Sequence, residues 1–299
     1  GPCRALLNDL APDQMPLANA CLAACLSLGN VSGYVCGWQG KALLSALPFF
    51  GTTTRLLFTF SCVFLAITCV VTFVVAREKQ HRLTAEQLVV NRPFRDLPKA
   101  LWESIKRMPV SMRRVCVVQF FTWLAYFTFF IYMQGWMTQN VFEGKTAANG
   151  GTPAEAQRFK EGSSAGSLGL ALQAVVTFFV AGILPRTCRL FGTRLVYCVC
   201  LIVLAIDLAA TFFVRGIALK WFAVSLIALN GIPWSCVITI PFTLIQEVSG
   251  KSDGGVNVGA LNVFIVLPQL VVALLAGPLV SATDDPSSTM LVGAVFGVV

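Results

Sequence analysis

The sequence predicts an all-α membrane protein whose helices fall into two groups about a basic loop, and three observations carry that prediction. Apolar runs of about 20 residues, enough to cross a hydrocarbon core of roughly 30 Å, recur along the chain. Of 299 residues, 56% are hydrophobic and only 12% charged, which is about half the charged share of an ordinary soluble domain. Between Arg77 and Arg114 ten Lys or Arg stand against four acids. Cationic loops beside membrane spans are held on the cytoplasmic side, because translocating them is unfavourable.

Taken in order, the apolar runs fall at 16–37, 56–76, 115–137, 166–184, 195–214, 220–245 and 257–280, with an eighth beginning at 288. Basic residues in the alternate connections test this layout. Segments 1–15, 77–114, 185–194 and 246–256 hold fifteen Lys and Arg, whereas 38–55, 138–165, 215–220 and 281–287 hold seven. The first set is therefore expected to be cytoplasmic. Two complete helices precede the basic loop, and five plus a start follow it. If the second group is a six-helix half, the first lacks about four helices, and the chain is expected to be a fragment of a twelve-span protein in two pseudo-equivalent halves, a transporter architecture. The expected division is 1–76 for the remainder of the N-terminal bundle, 77–114 for the cytoplasmic loop and 115–299 for the C-terminal bundle.

Composition also excludes function classes. The net charge of +8 sits largely in the central loop, and no Lys/Arg stripe interleaves with aromatics elsewhere, so nucleic-acid binding is not expected. The eleven cysteines form no CxxC pair and the single histidine, His81, lies in the polar loop. Small buried apolar residues fit those cysteines better than metal ligands or disulfides. With no catalytic constellation, no cofactor motif and no G-x-x-x-x-G-K-[ST] loop, neither an enzyme nor ATP hydrolysis is expected, and a moved solute would draw on a gradient.

Several spans carry more than an anchor needs. Gly29, Gly33 and Gly37 fall at i, i+4, i+8 and leave one helix face bare for a neighbour. Pro233, Pro241 and Pro268 each remove a backbone donor and favour kinks, which are tolerated where a helix lines a cavity or packs on protein. Arg4 reads either as a snorkelling anchor or as a site residue whose guanidinium donates to sugar hydroxyls or pairs with a carboxylate. Asp207, inside Leu204-Ala205-Ile206-Asp207-Leu208-Ala209, has three readings: a protonatable site, a polar inter-helix contact, or a residue near the outer face. The amides Asn19, Asn30, Gln119, Asn230, Asn262 and Gln269 would be unsatisfied in hydrocarbon unless they faced a partner or a polar cavity. Trp123, Tyr126, Tyr132 and Trp136 can stack on a sugar face, pack the core or form an interfacial belt.

Four stretches resemble a known family. Gly1-Pro2-Cys3-Arg4-Ala5-Leu6-Leu7-Asn8-Asp9-Leu10 is similar to the end of the fourth helix of the plant sucrose–proton symporters, and Gly231-Ile232-Pro233 through Ile240-Pro241-Phe242 to their tenth. Gly259-Ala260-Leu261-Asn262-Val263-Phe264-Ile265-Val266-Leu267-Pro268-Gln269, with Ala276-Gly277-Pro278, resembles their eleventh. Arg189-Leu190-Phe191-Gly192-Thr193-Arg194-Leu195-Val196-Tyr197 resembles the loop between helices eight and nine of their animal relatives.

The resemblance runs the length of the chain. It implies the major facilitator fold, with this chain holding the end of helix 4, helices 5 to 11 and the start of helix 12. It also implies symport of sucrose or a related glycoside with protons across a plasma or vacuolar membrane. Arg4 matches the family's essential arginine; the proton-coupling aspartate falls upstream of Gly1. At the outer end of helix seven, where the family carries a charged run, this chain has Met133, Gln134, Gly135, Gln139 and Asn140, keeping Trp136, Met137 and Val141. The expected substrate-binding set is Arg4, Asn19, Asn30, Gln119, Trp123, Asn230, Asn262 and Gln269, with Asp207 for proton coupling. Expected partners are a sugar, protons and the bilayer, with no cofactor. A sensor or scaffold on the same fold that no longer pumps is the alternative.

Overall fold

The structure is a computed structural model that describes residues 14–75, 102, 105, 106 and 108–298, with side chains at 15, 41, 147 and 246–256 excepted. Arg4 and most of the basic loop lie outside the described residues. Every regular element among them is helical: α1 (Met15–Trp38), α2 (Gly40–Ala46), α3 (Thr53–Val75), α4 (Val110–Gly135), α5 (Pro153–Phe191), α6 (Thr193–Phe213), α7 (Lys220–Leu229), α8 (Gly231–Thr283) and α9 (Ser287–Val298). A π-helical stretch, Trp136–Val141, continues α4. Seven helical segments are long and apolar enough to cross a membrane.

Each helix follows from its sequence, with three departures from the expected layout. The segment 138–165, expected as a loop, is helical from Pro153 onward. Thr152 accepts from the Glu155 backbone N–H while Glu155 returns to the Thr152 N–H, and Pro153 opens the first turn, so the helix starts well outside the apolar run. At 39 residues α5 is about 58 Å long and extends beyond a core of roughly 30 Å. The expected loop 185–194 shrinks to Gly192, since Pro185 is accommodated inside α5 and α6 begins at Thr193. Gly192 takes φ 84°, a conformation that a Cβ disfavours.

The third departure lies in the run 220–245, which is broken by a turn at Asn230 between α7 and α8. Pro233 has no N–H to return to the Leu229 carbonyl, so the ladder is interrupted there. Gly231 then crosses α5 so closely that a Cβ would collide with the Gln173 carbonyl oxygen. The other prolines, Pro241, Pro268 and Pro278, sit inside α8.

Although α8 is helical throughout its 53 residues, it comprises two spans. Val237 lies beside Gln119 of α4, while Val272 and Ala276 pack around Leu124 of the same helix. A straight helix would separate positions 237 and 272 by about 52 Å. The chain therefore doubles back, and the spans ending at Ile245 and starting at Asn257 meet α4 at Met112 and Cys116, where Phe242, Ile245, Val258 and Leu261 share one cluster.

The main core joins α4, α6, α7, α8 and α9 through Tyr126, Phe129, Met133, Leu204, Leu208, Ile227, Val237 and Met290. The helix α1 lies along α5 and also touches α8. Of its glycines, Gly29 and Gly33 face open space and only Gly37 comes near a neighbour, Ser167, so the expected glycine face is not a close-packed seam among the described residues. By contrast α3 turns almost all of its surface outward, with Phe64 at 72% and Phe73 at 88% exposure. Only lipid or further apolar helices tolerate such a face.

Candidate functional site

The buried polar groups converge where α4, α5, α6 and the α7–α8 break meet. On α4, Gln119, Trp123, Tyr126 and Phe130 follow one another at i, i+4, i+7 and i+11, which aligns them on a single face. That face meets Trp234 of α8: ring centroids lie 5.6 Å from Trp123, 4.8 Å from Tyr126 and 4.9 Å from Phe130. Gln119 donates through Nε2 to the Val237 carbonyl oxygen at 3.3 Å.

Below the aromatic cluster runs a chain of side-chain hydrogen bonds. Gln173 Nε2 of α5 donates to Asn230 Oδ1 at 3.0 Å, and Asn230 Nδ2 donates to Asp207 Oδ2 of α6 at 2.9 Å. Thr177 Oγ1 donates to the Gly231 carbonyl oxygen at 3.2 Å. All of these side chains are buried, so the break in the tenth span is held open by polar contacts to two neighbouring helices. The arrangement favours the polar inter-helix reading of Asp207 over a place near the outer face.

What the cluster leaves unsatisfied matters most for chemistry. Gln119 Oε1, Trp123 Nε1, Tyr126 OH and Asp207 Oδ1 are buried with no hydrogen-bond partner among the described residues, as are Ser235 Oγ and Thr239 Oγ1 elsewhere on α8. Each such group is unfavourable in an apolar interior unless water or a ligand completes it. A patch of unpaired donors and acceptors beside aromatic rings that meet edge to face or tilted is complementary to a hydroxyl-rich, uncharged ring compound.

The other expected residues are placed differently. Asn19 is buried at the contact of α1 with α8 and donates to Thr243 Oγ1 at 3.3 Å; Asn30 is half-buried on the same stripe of α1. Asn262 is half-buried and Gln269 exposed on the second span of α8, and neither reaches the cluster. Gln173, Trp234 and Thr177 were not singled out in the sequence. Gln173 gives the same signal as its fellow amides, a polar residue inside Leu170-Ala171-Leu172-Gln173-Ala174-Val175. Trp234 lies one turn after Asn230.

The replaced charges of helix seven have structural partners. Gln134 Nε2 donates to the Ser163 carbonyl oxygen at 3.2 Å. Asn140 Nδ2 donates to Asp285 Oδ1 at 2.8 Å, and Arg215 Nη2 pairs with Asp285 Oδ2 at 2.5 Å. Ser287 adds its backbone N–H and hydroxyl to Asp285 Oδ1. Partial burial pushes the Asp285 carboxyl up, but the bonds from Ser287, Arg215 and Asn140 outweigh it and hold the group below its ordinary range. Trp136 Nε1 also donates to the Val214 carbonyl oxygen at 3.2 Å, so the π-helical end of the seventh span is tied to the connection 214–216 and to the start of α9.

Comparison with known proteins agrees with this architecture. The chain is 29% identical over 308 residues to the sucrose transport protein SUT3 of Oryza sativa subsp. indica, covering 93% of the chain and 60% of that protein. It is 28% identical to SUT1 of Oryza sativa subsp. japonica, covering 93% and 57%, and 26% identical to SUC3 of Arabidopsis thaliana, covering 93% and 60%. It thus spans about six-tenths of the length of the curated relatives it matches. The family model described as Major Facilitator Superfamily matches residues 1–273, nearly the whole chain, and with seven membrane-length helices this chain belongs to that superfamily as an integral, multi-pass membrane protein.

Proposed function

We propose that the whole protein is a secondary active transporter that moves sucrose or a related glycoside together with protons, by alternating access of two helix bundles about a midplane site. The observation that carries the reading is the set of unpaired polar atoms on Gln119, Trp123, Tyr126 and Asp207 about the Trp123–Trp234 pair. Gln119 Oε1 accepts from a sugar hydroxyl, Trp123 Nε1 donates to one, and the indole faces stack on the ring. The sucrose transport proteins of rice and Arabidopsis that the chain resembles support the substrate class.

Asp207 is proposed as the proton carrier. Its Oδ2 is occupied by Asn230, while its Oδ1 has no partner among the described residues and is the atom that takes the proton. An unpaired carboxylate oxygen in an apolar interior is unfavourable, so the proton leaves when the cavity opens and water reaches Oδ1. Arg4, in the N-terminal bundle (1–76), is proposed to hold the ligand or a coupling carboxylate. The basic loop 77–114 is cytoplasmic and joins that bundle to the C-terminal one (115–299).

Labelled sucrose uptake by the whole gene product in proteoliposomes tests the reading. Accumulation driven by an imposed proton gradient and abolished by a protonophore is the expected result. Saturable sucrose binding without any flux would instead support the sensor or scaffold alternative, and neither binding nor flux would refute both.

A further inference from the structure

Five of the ten described cysteines, Cys21, Cys25, Cys62, Cys69 and Cys198, face outward, which departs from the expected burial; Cys116, Cys200 and Cys236 are buried. Two of the buried three face each other. Cys200 Sγ of α6 and Cys236 Sγ of α8 are 3.0 Å apart, within an apolar cluster formed with Leu184, Val196 and Ile240. Cys200 precedes Asp207 by seven residues and Cys236 follows Asn230 by six. Along two antiparallel helices these spacings put the sulfur pair about 10 Å below the Asp207–Asn230 hydrogen bond, on the same helix–helix seam.

The distance discriminates between the uses of a thiol pair. Two sulfurs sharing a tetrahedral metal at about 2.3 Å each would sit roughly 3.8 Å apart, farther than observed, and no group of three or more His, Cys, Asp or Glu able to hold a metal occurs among the described residues. A disulfide needs the sulfurs at about 2.05 Å, an approach of about 1 Å from the observed 3.0 Å.

We propose that Cys200 and Cys236 are an oxidation site, converted by a bilayer-permeant two-electron oxidant of the peroxide class into a disulfide that clips α6 to α8 beneath Asp207. One thiol loses its proton and attacks a peroxide oxygen, breaking the O–O bond and leaving a sulfenic acid and one water. The second sulfur then attacks the first, forming the S–S bond and expelling the sulfenic oxygen as a second water. Two thiols and one hydrogen peroxide thus give one disulfide and two waters; the sulfurs lose two electrons and the peroxide oxygens gain them. The clip fixes the seam that positions Asp207 against Asn230, and it forms whatever solute the protein carries.

The test uses membranes containing the whole protein. They are treated with hydrogen peroxide, denatured, alkylated with N-ethylmaleimide and digested for mass spectrometry. The expected product is one intrachain peptide pair joining Cys200 to Cys236, lighter than the two reduced peptides by two hydrogens and abolished by dithiothreitol. Labelling of the two cysteines should be lost in parallel. Cys200→Ser should abolish the pair and keep Cys236 alkylatable, and oxidation should raise the thermal midpoint of the parent but not of Cys200→Ser or Cys236→Ala. Full alkylation of both cysteines, under peroxide that modifies the exposed ones, would overturn the proposal. So would a dominant link from Cys200 to Cys188, which packs against the same cluster, or to Cys198.

Discussion

Replacing Asn230 by Ala removes the residue on which the broken tenth span hangs. The side chain makes two bonds, accepting from Gln173 Nε2 at 3.0 Å and donating to Asp207 Oδ2 at 2.9 Å, with all three residues buried. The substitution leaves one donor and one carboxylate oxygen unsatisfied, and orphaned buried groups destabilise by about 1–3 kcal/mol each. Measured interhelical hydrogen bonds in membranes average about 0.6 kcal/mol, so two bonds set a floor of about 1 kcal/mol. Between these limits Asn230→Ala should destabilise by about 3 kcal/mol. Reversible unfolding in mixed micelles, followed by circular dichroism, reads the difference directly. A double-mutant cycle with Asp207→Ala, which removes the acceptor for Asn230 Nδ2, should return a non-zero coupling between the two sites. A change below about 0.5 kcal/mol for Asn230→Ala, the scatter of neutral surface substitutions, would refute the idea that this chain of bonds holds the break.

Further outcomes follow from other parts of the structure. In intact cells an impermeant thiol reagent should label Gly150→Cys and leave Ser104→Cys untouched, with the opposite pattern reversing the topology assigned from the basic residues. Asp285 is held below the 3.8 of a free carboxyl, so its contribution is fully present above that value and is lost as pH falls through the lower folded-state value. Asp285→Asn should flatten the acid limb of the stability profile, and an unchanged limb would remove Asp285 from the outer tie. Arg4→Lys in the whole gene product keeps the charge and loses the planar fork; removal of a charge-assisted contact of about 1.5–3 kcal/mol should lower sucrose uptake roughly ten-fold or more at matched surface levels. Undiminished uptake would make Arg4 an anchor.

The spans were legible because hydrocarbon imposes one rule, about 20 apolar residues per crossing, and the apolar runs identified in the sequence fall mainly on helices, the run 220–245 being divided between α7 and α8. The ends were less legible. Helix α5 begins at Pro153 because Thr152 and Glu155 form a capping box, a local signal independent of the apolar run. The collapse of 185–194 onto Gly192 depends on packing that charge counting does not sense. At the site, Gln119, Asp207 and Asn230 come together as amides and charges in hydrocarbon must, each seeking a partner, with Trp123 on the same face of α4 as Gln119. The same rule nominated Asn262 and Gln269, which the fold turns elsewhere, because composition says that a residue is polar and not which side of its helix faces the bundle. Trp234 escaped notice since an indole in an apolar run resembles ordinary core. The Asp285 tie escaped because its members lie far apart in sequence, at 140, 215 and 285.

The central claim is that Asp207 carries the proton that drives sugar accumulation, and Asp207→Asn tests it most directly. Asn at this position keeps an oxygen for Asn230 Nδ2 and mimics the protonated carboxyl in shape and charge, so the sugar site and the helix seam should persist. The measurement is a paired assay on the whole gene product in proteoliposomes, comparing sucrose counterflow, which needs no proton movement, with uphill uptake driven by an imposed pH gradient. Counterflow near the wild-type rate together with loss of gradient-driven accumulation is the predicted result. Uphill accumulation by Asp207→Asn equal to wild type would contradict the claim and leave Asp207 as a structural contact between α6 and the α7–α8 break.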